Sequence, residues 1–194
     1  MAQRLDIEID LPGARAFRVL ALREGVPERT GNSLRPAGPR CASNGMSEAD
    51  APAFDTDMAQ ELQLQAANPL AARKADRAQM IMLAGAMQPY VWAIDGQTWD
   101  THISISTVSG EQAELIFHNM LMMDRTMHLD GHVFLVININ GRTVNGALRD
   151  TIYVPPMAMV TVALDAGEAA HWMLHCNLMP HLSAGMMTKF AVSA

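Results

Sequence analysis

Cys176, His181 and Met186 offer a thiol, an imidazole and a thioether at intervals of five residues. Soft and borderline donors gathered in one short loop can converge on a single metal ion, and that set suits copper far better than a hard cation. A second group, His128, Asp130 and His132, alternates along the chain, so an extended segment would carry all three on one face. Such a face either holds a metal or is a solvated, hydrogen-bonded surface, and both readings stay open. His102, His118 and His171 have no companions at ligand spacing and read as ordinary surface or strand residues.

The stretch Trp172-Met173-Leu174-His175-Cys176-Asn177, with Pro180-His181 and Ala184-Gly185-Met186-Met187 after it, resembles the terminal copper motif of the multicopper oxidases (laccases and copper-resistance oxidases). Met122 to His132 resembles the His-rich motif that precedes it in that family. Leu148-Arg149-Asp150-Thr151, Val154-Pro155-Pro156-Met157 and the hairpin Tyr90 to Gly96 are similar to what these proteins carry between their copper motifs. The resemblance runs from residue 76 to residue 194. It implies an all-β, cupredoxin-like Greek-key sandwich, copper as cofactor and a laccase-type oxidoreductase ancestry. Carried over residue by residue, it assigns Cys176, His181 and Met186 to a mononuclear copper, with Met186 as the weak axial ligand. It places His128 and His175 at positions of a trinuclear copper cluster.

Departures from the family's pattern are as informative as the matches. Arg125 stands where the mononuclear copper has its second His, and Asp130 and Asn177 stand where His128 and His175 should have imidazole partners. A guanidinium stays protonated and has no lone pair to give. Two unit charges about 4 Å apart repel by roughly 4 kcal/mol at an effective dielectric near 20, and a divalent ion doubles that. Arg125 is therefore expected to swing away from any copper, or the copper to bind abnormally. Asp130 remains a competent hard ligand, whereas Asn177 is a poor replacement for imidazole. Three functions are compatible with this ligand set: one-electron transfer through a mononuclear copper, cuprous-ion binding or storage, and a metal-free structural or interaction module. Oxygen reduction by this chain alone is not expected, because His128 and His175 are too few to hold three coppers.

The elements that position these residues must come from a chain of 194 residues with a net charge of -6. That length makes one or two domains and leaves enough chain to bury a core. The charge balance excludes a basic footprint for nucleic acid, and no apolar run approaches a helical membrane span. Sixteen methionines are expected to act mainly as unbranched core filler. Two cysteines make no disulfide framework; pairing Cys41 with Cys176 would consume the thiolate ligand, so both are expected to be reduced. The first residues lack the apolar core of a secretory signal, although the family is usually periplasmic or secreted.

Along the chain, Leu5, Ile7 and Ile9 alternate with Asp6, Glu8 and Asp10, which predicts a half-buried strand turning through Pro12-Gly13 into a second strand over residues 17–22. This hairpin resembles the closing hairpin of a preceding cupredoxin domain. Its unpaired edges are expected to pack on the C-terminal domain, on a second copy or on cupredoxin domains supplied in trans. Residues 25–57 read as a linker, and Thr56 or Asp57 is expected to cap a helix running to Ala67. Domains are thus expected over 1–75, a remnant with its linker, and 76–194, the cupredoxin domain. Within the latter, turn signals at Asp95-Gly96, Ser109-Gly110, Asn140-Gly141, Pro155-Pro156 and Ala166-Gly167 space short strands, among them Ile103 to Val108 and Met159 to Leu164.

Overall fold

Period-two alternation builds most of this molecule, because every strand with one apolar face has to find a second apolar layer to cover it. The computed structural model describes residues 8, 10, 17–22, 28–34 and 57–194. Two units are distinguished, residues 4–55 and the remainder. In the first, β1 (Phe17–Leu22) pairs antiparallel with β2 (Arg29–Leu34), from Phe17 opposite Leu34 to Leu22 opposite Arg29. The strand expected over residues 17–22 therefore forms, but its partner comes from the stretch expected to be linker. Pairing across so short a connection loses little loop entropy. The strand expected over residues 4–10 lies largely outside the described residues, as does Cys41.

The second unit is nearly all strand: β3 (Arg77–Met87), β4 (Tyr90–Ile94), β5 (Ile105–Val108), β6 (Gln112–Asn119), β7 (Arg125–Leu129), β8 (Phe134–Ile139), β9 (Arg142–Thr143), β10 (Leu148–Arg149), β11 (Thr151–Val154), β12 (Met159–Asp165), β13 (His171–Cys176) and β14 (Met187–Ser193). One sheet runs β10-β8-β12-β6-β3-β4, with β9 on β8; the other runs β11-β7-β13-β14-β5. Two pairs are parallel, β3 with β6 and β5 with β14, and all others are antiparallel. Between the sheets lies a core that includes Leu83, Trp92, Leu115, Phe117, Phe134 and Phe190. The fold is the expected all-β sandwich.

Two expectations fail here. The helix expected from residue 57 to Ala67 is a single 3-10 turn, Glu61–Gln63, after which Leu64 is extended. Tertiary pairing prevails over local propensity: the Ala66 N–H donates to the Gly146 carbonyl at 2.9 Å, and Glu61 forms a two-pronged, buried ion pair with Arg149. Among the described residues, the methionines are not mainly core filler either. Met58, Met127 and Met186 are buried, but Met80, Met87, Met122, Met157 and Met179 are among those at the surface. Branched and aromatic residues from both sheets supply most of the core instead.

Candidate metal centre

Strands β7 and β13 lie side by side with His128 opposite His175 and Met127 opposite Cys176. Because side chains alternate across a sheet, this one register sorts the predicted ligands onto two faces. Arg125, Met127 and Leu129 share the inner, fully buried face with Leu174 and Cys176. His128 and His175 point to the opposite, half-buried face.

On the inner face the chain leaves β13 at Cys176, makes the short helix α1 (Met179–Ser183), which carries His181, and returns to β14 past Met186. Backbone bonds tie the three residues together: the Cys176 N–H donates to the Met186 carbonyl and the Met186 N–H to the His181 carbonyl, both at 3.0 Å. Gly185, at φ 111°, is required where the loop crosses β4, since a β-carbon there would strike the Thr98 side chain. Cys176 Sγ lies 3.6 Å from His181 Nδ1, and Cys176 is a free thiol. Donors about 2.3 and 2.0 Å from one ion at a tetrahedral angle stand roughly 3.5 Å apart, so the thiol and imidazole are at a metal's bite distance.

Arg125 lies in the core. It is 0% exposed and its guanidinium carbon sits 4.3 Å above the ring of Trp92, whose other contacts include the His181 ring at 4.6 Å and Tyr90 edge-on at 5.5 Å. Trp92 itself fits only because position 85 is glycine; a β-carbon at Gly85 would overlap the indole. Arg125 Nη1 donates to the Asp124 carbonyl, whereas Nε and Nη2 are buried without hydrogen-bond partners. Burial lowers the Arg125 pKa below its usual range, opposed by the charges of Cys176 and Asp124. Burial likewise pushes the Cys176 thiol up, against backbone donors at Leu178 and Thr126 and the Arg125 charge, which favour the thiolate. His181 is driven down to about 4 by burial and then by Arg125, so at neutral pH it is an uncharged donor. The thiol and imidazole could share one soft ion, and the backbone bonds bring Met186 to the same loop. Arg125 offers no lone pair to such an ion, and its charge bears on both Cys176 and His181.

Outer-face geometry is different in kind. His128 Nδ1 lies 2.8 Å from both the Asp150 carbonyl and Thr151 Oγ1, His175 Nδ1 lies 3.1 Å from the Cys176 carbonyl, and the two rings meet edge-on at 5.3 Å. Asp130 Oδ1 is 3.0 Å from His128 Nε2. His132 does not join them: the turn at Asp130-Gly131 carries it into the sandwich, where its Nε2 accepts from the Gly167 N–H at 3.1 Å and its ring lies edge-on to Trp172 and Phe190. The shared face expected of 128, 130 and 132 thus breaks at a glycine turn, where strand alternation ends. Asn177 is exposed. His102 stacks on Trp99, His118 sits on β6 and His171 begins β13, in ordinary positions. Sequence reasoning gave no role to Trp92; the only sequence signal for it was its place in the Tyr90 to Gly96 hairpin.

A family model described as multicopper oxidase matches residues 72–194. Multicopper oxidase MmcO of Mycobacterium tuberculosis is 34% identical over 109 residues, which is 56% of this chain and 21% of that protein. The multicopper oxidase McoA of Aquifex aeolicus superposes with a TM-score of 0.58 at 25% identity, covering 66% of this chain and 31% of that one. A Campylobacter jejuni multicopper oxidase, described as a metallo-oxidase, gives a TM-score of 0.61 at 18% identity over 95% of this chain and 42% of its own, a likeness of fold. The chain therefore spans only about a fifth of the length of its Mycobacterium relative. Copper is the cofactor these relatives imply, and the motifs, the sandwich and the family match together make this chain a member of the multicopper oxidase family.

Proposed function

We propose that this domain carries one copper at Cys176, His181 and Met186, held preferentially in the cuprous state, and that it does not reduce oxygen by itself. The observation that carries the reading is the 3.6 Å separation of thiol and imidazole beside a wholly buried guanidinium. Bound copper would supply one-electron exchange. His181, uncharged at neutral pH, presents its lone pair without first losing a proton. Cys176 must release the proton that burial holds on it, so uptake of the ion is favoured by rising pH. Arg125 decides between oxidation states. A thiolate with a cuprous ion is neutral overall, whereas with a cupric ion it keeps one positive charge, which the buried guanidinium opposes; like unit charges about 4 Å apart repel by roughly 4 kcal/mol at an effective dielectric near 20. Asp130 and Asn177, in place of imidazoles, support the second half of the proposal.

Anaerobic titration with cuprous ion against a competing chelator tests this. One equivalent is expected to bind, and Cys176→Ala to abolish it. Cupric ion should give the parent no intense blue colour, whereas Arg125→His, which removes the cation and adds an imidazole, should give a strong thiolate-to-copper absorption. A folded chain that takes up no cuprous ion would defeat the proposal in favour of the metal-free structural reading. Copper-dependent oxygen consumption by the purified chain would defeat its second half.

A further inference from the structure

The outer face of the β7–β13 pair carries a group that the copper reading leaves unused. Among the described residues, His128, Asp130 and His175 are the His, Cys or carboxylate side chains that come together as a metal-sized group, with one donor atom from each all within 4.8 Å of one another. We propose that they form a separate site for a single divalent first-row ion of the zinc class, mononuclear and complete within this chain, in place of a copper cluster.

Both imidazoles are already aimed. The Nδ1 of His128 lies against the Asp150 carbonyl and that of His175 against the Cys176 carbonyl, at 2.8 and 3.1 Å. A ring nitrogen facing a backbone carbonyl is its N–H, which leaves the lone pair on Nε2 of each ring; protein zinc ligands are oriented in this way. Thr151 Oγ1, also 2.8 Å from His128 Nδ1, donates its own proton to Asp150 at 2.9 Å and so accepts at the ring. His128 Nε2 points at Asp130, 3.0 Å from its carboxylate. With the proton on Nδ1, Nε2 and the carboxylate oxygen face each other as two lone pairs, and a divalent ion set between them would accept a coordinate bond from each.

Spacing and donor type select the ion. Bonds of about 2.0–2.2 Å at tetrahedral or octahedral angles put donors roughly 3.0–3.5 Å apart, so the group must close by roughly 1.8 Å at most, within the reach of side-chain torsions. Two imidazoles and one carboxylate, with open positions, suit zinc or ferrous ion, and the carboxylate replaces one of the soft or imidazole donors that favour copper. One negative charge offsets half that of a divalent ion. The Asp130 side chain is 46% exposed and that of His128 17%, so an ion can enter from solvent. Cross-strand pairing of His128 with His175 fixes their spacing on two hydrogen-bonded strands.

This inference does not rest on copper at Cys176. The test is titration of the full chain with zinc, with cobalt(II) as spectroscopic probe, in the Cys176→Ser background so that the inner thiol cannot contribute. One zinc per chain is expected, and the cobalt derivative should show ligand-field bands without thiolate charge transfer. Asp130→Asn, which keeps the side chain's shape, and His175→Ala should each weaken zinc at least tenfold with circular dichroism unchanged. Zinc binding that survives both substitutions would overturn the site, as would the absence of binding by the folded chain at roughly 100 µM zinc.

Discussion

Two faces of one strand pair meet the same chemical problem in opposite ways. On the inner face, Cys176 and His181 sit at bite distance in the buried core, with a buried cation, Arg125, stacked on Trp92. On the outer face, His128, Asp130 and His175 stand half in water, with their rings pinned by backbone carbonyls and a carboxylate where an imidazole would be expected. Burial makes the inner substitution costly and consequential, since a desolvated guanidinium bears on every charge near it. Solvent makes the outer substitution mild. On the proposals above, similar departures from histidine would bias the inner site in its redox preference and change the metal class of the outer one.

The contrast can be broken first at Trp92. Trp92→Ala removes a buried ring that contacts Arg125, His181 and Tyr90, and should destabilise the fold by about 3–5 kcal/mol in urea unfolding, as large-to-small core changes do. A loss below about 1 kcal/mol would show that the inner face is loosely packed. Arg125→Met removes a buried cation with unpaired donors while keeping an unbranched stem, and should leave stability unchanged or raise it by about 1–3 kcal/mol. Strong destabilisation would mean that the guanidinium is held by interactions worth more than its desolvation costs.

A third, narrower effect concerns acid. His181 is held down to about 4, so the folded chain binds fewer protons there than the unfolded chain between that value and the ordinary imidazole range near 6.5. Its contribution to stability is fully present above pH 6.5 and is lost as pH falls towards 4. The thermal midpoint of the parent should fall through that window more steeply than that of His181→Gln; parallel curves would refute the assignment. The smallest effect is expected outside. Asp130→Ala should change metal-free stability by about 0.5 kcal/mol or less, because a half-exposed polar contact contributes little. A larger loss would mean that the outer group holds up the fold.

Much of this was legible in the chain. Strands at Phe17–Leu22, Ile105–Val108 and Met159–Asp165 reflect period-two alternation and turn residues, and the Cys176, His181, Met186 spacing belongs to one loop. Both are local patterns, set within a dozen residues. The short helix expected before Ala67 was misjudged because Ala66 and Glu61 find partners at Gly146 and Arg149, far along the chain. His132 was misplaced because its neighbours fix an alternation that the Gly131 turn then ends.

Sequence by itself determined which donors exist and which family the chain belongs to, and that resemblance puts Arg125, Asp130 and Asn177 where the family's pattern has histidines. Only the tertiary structure decided where the charge of Arg125 goes, since retention beside Cys176 depends on a Trp92 ring delivered by the opposite sheet. It also decided that His128 and His175 face each other across two strands, away from the thiol. Registers between distant strands are chosen by the whole buried surface at once, and no local spacing encodes them.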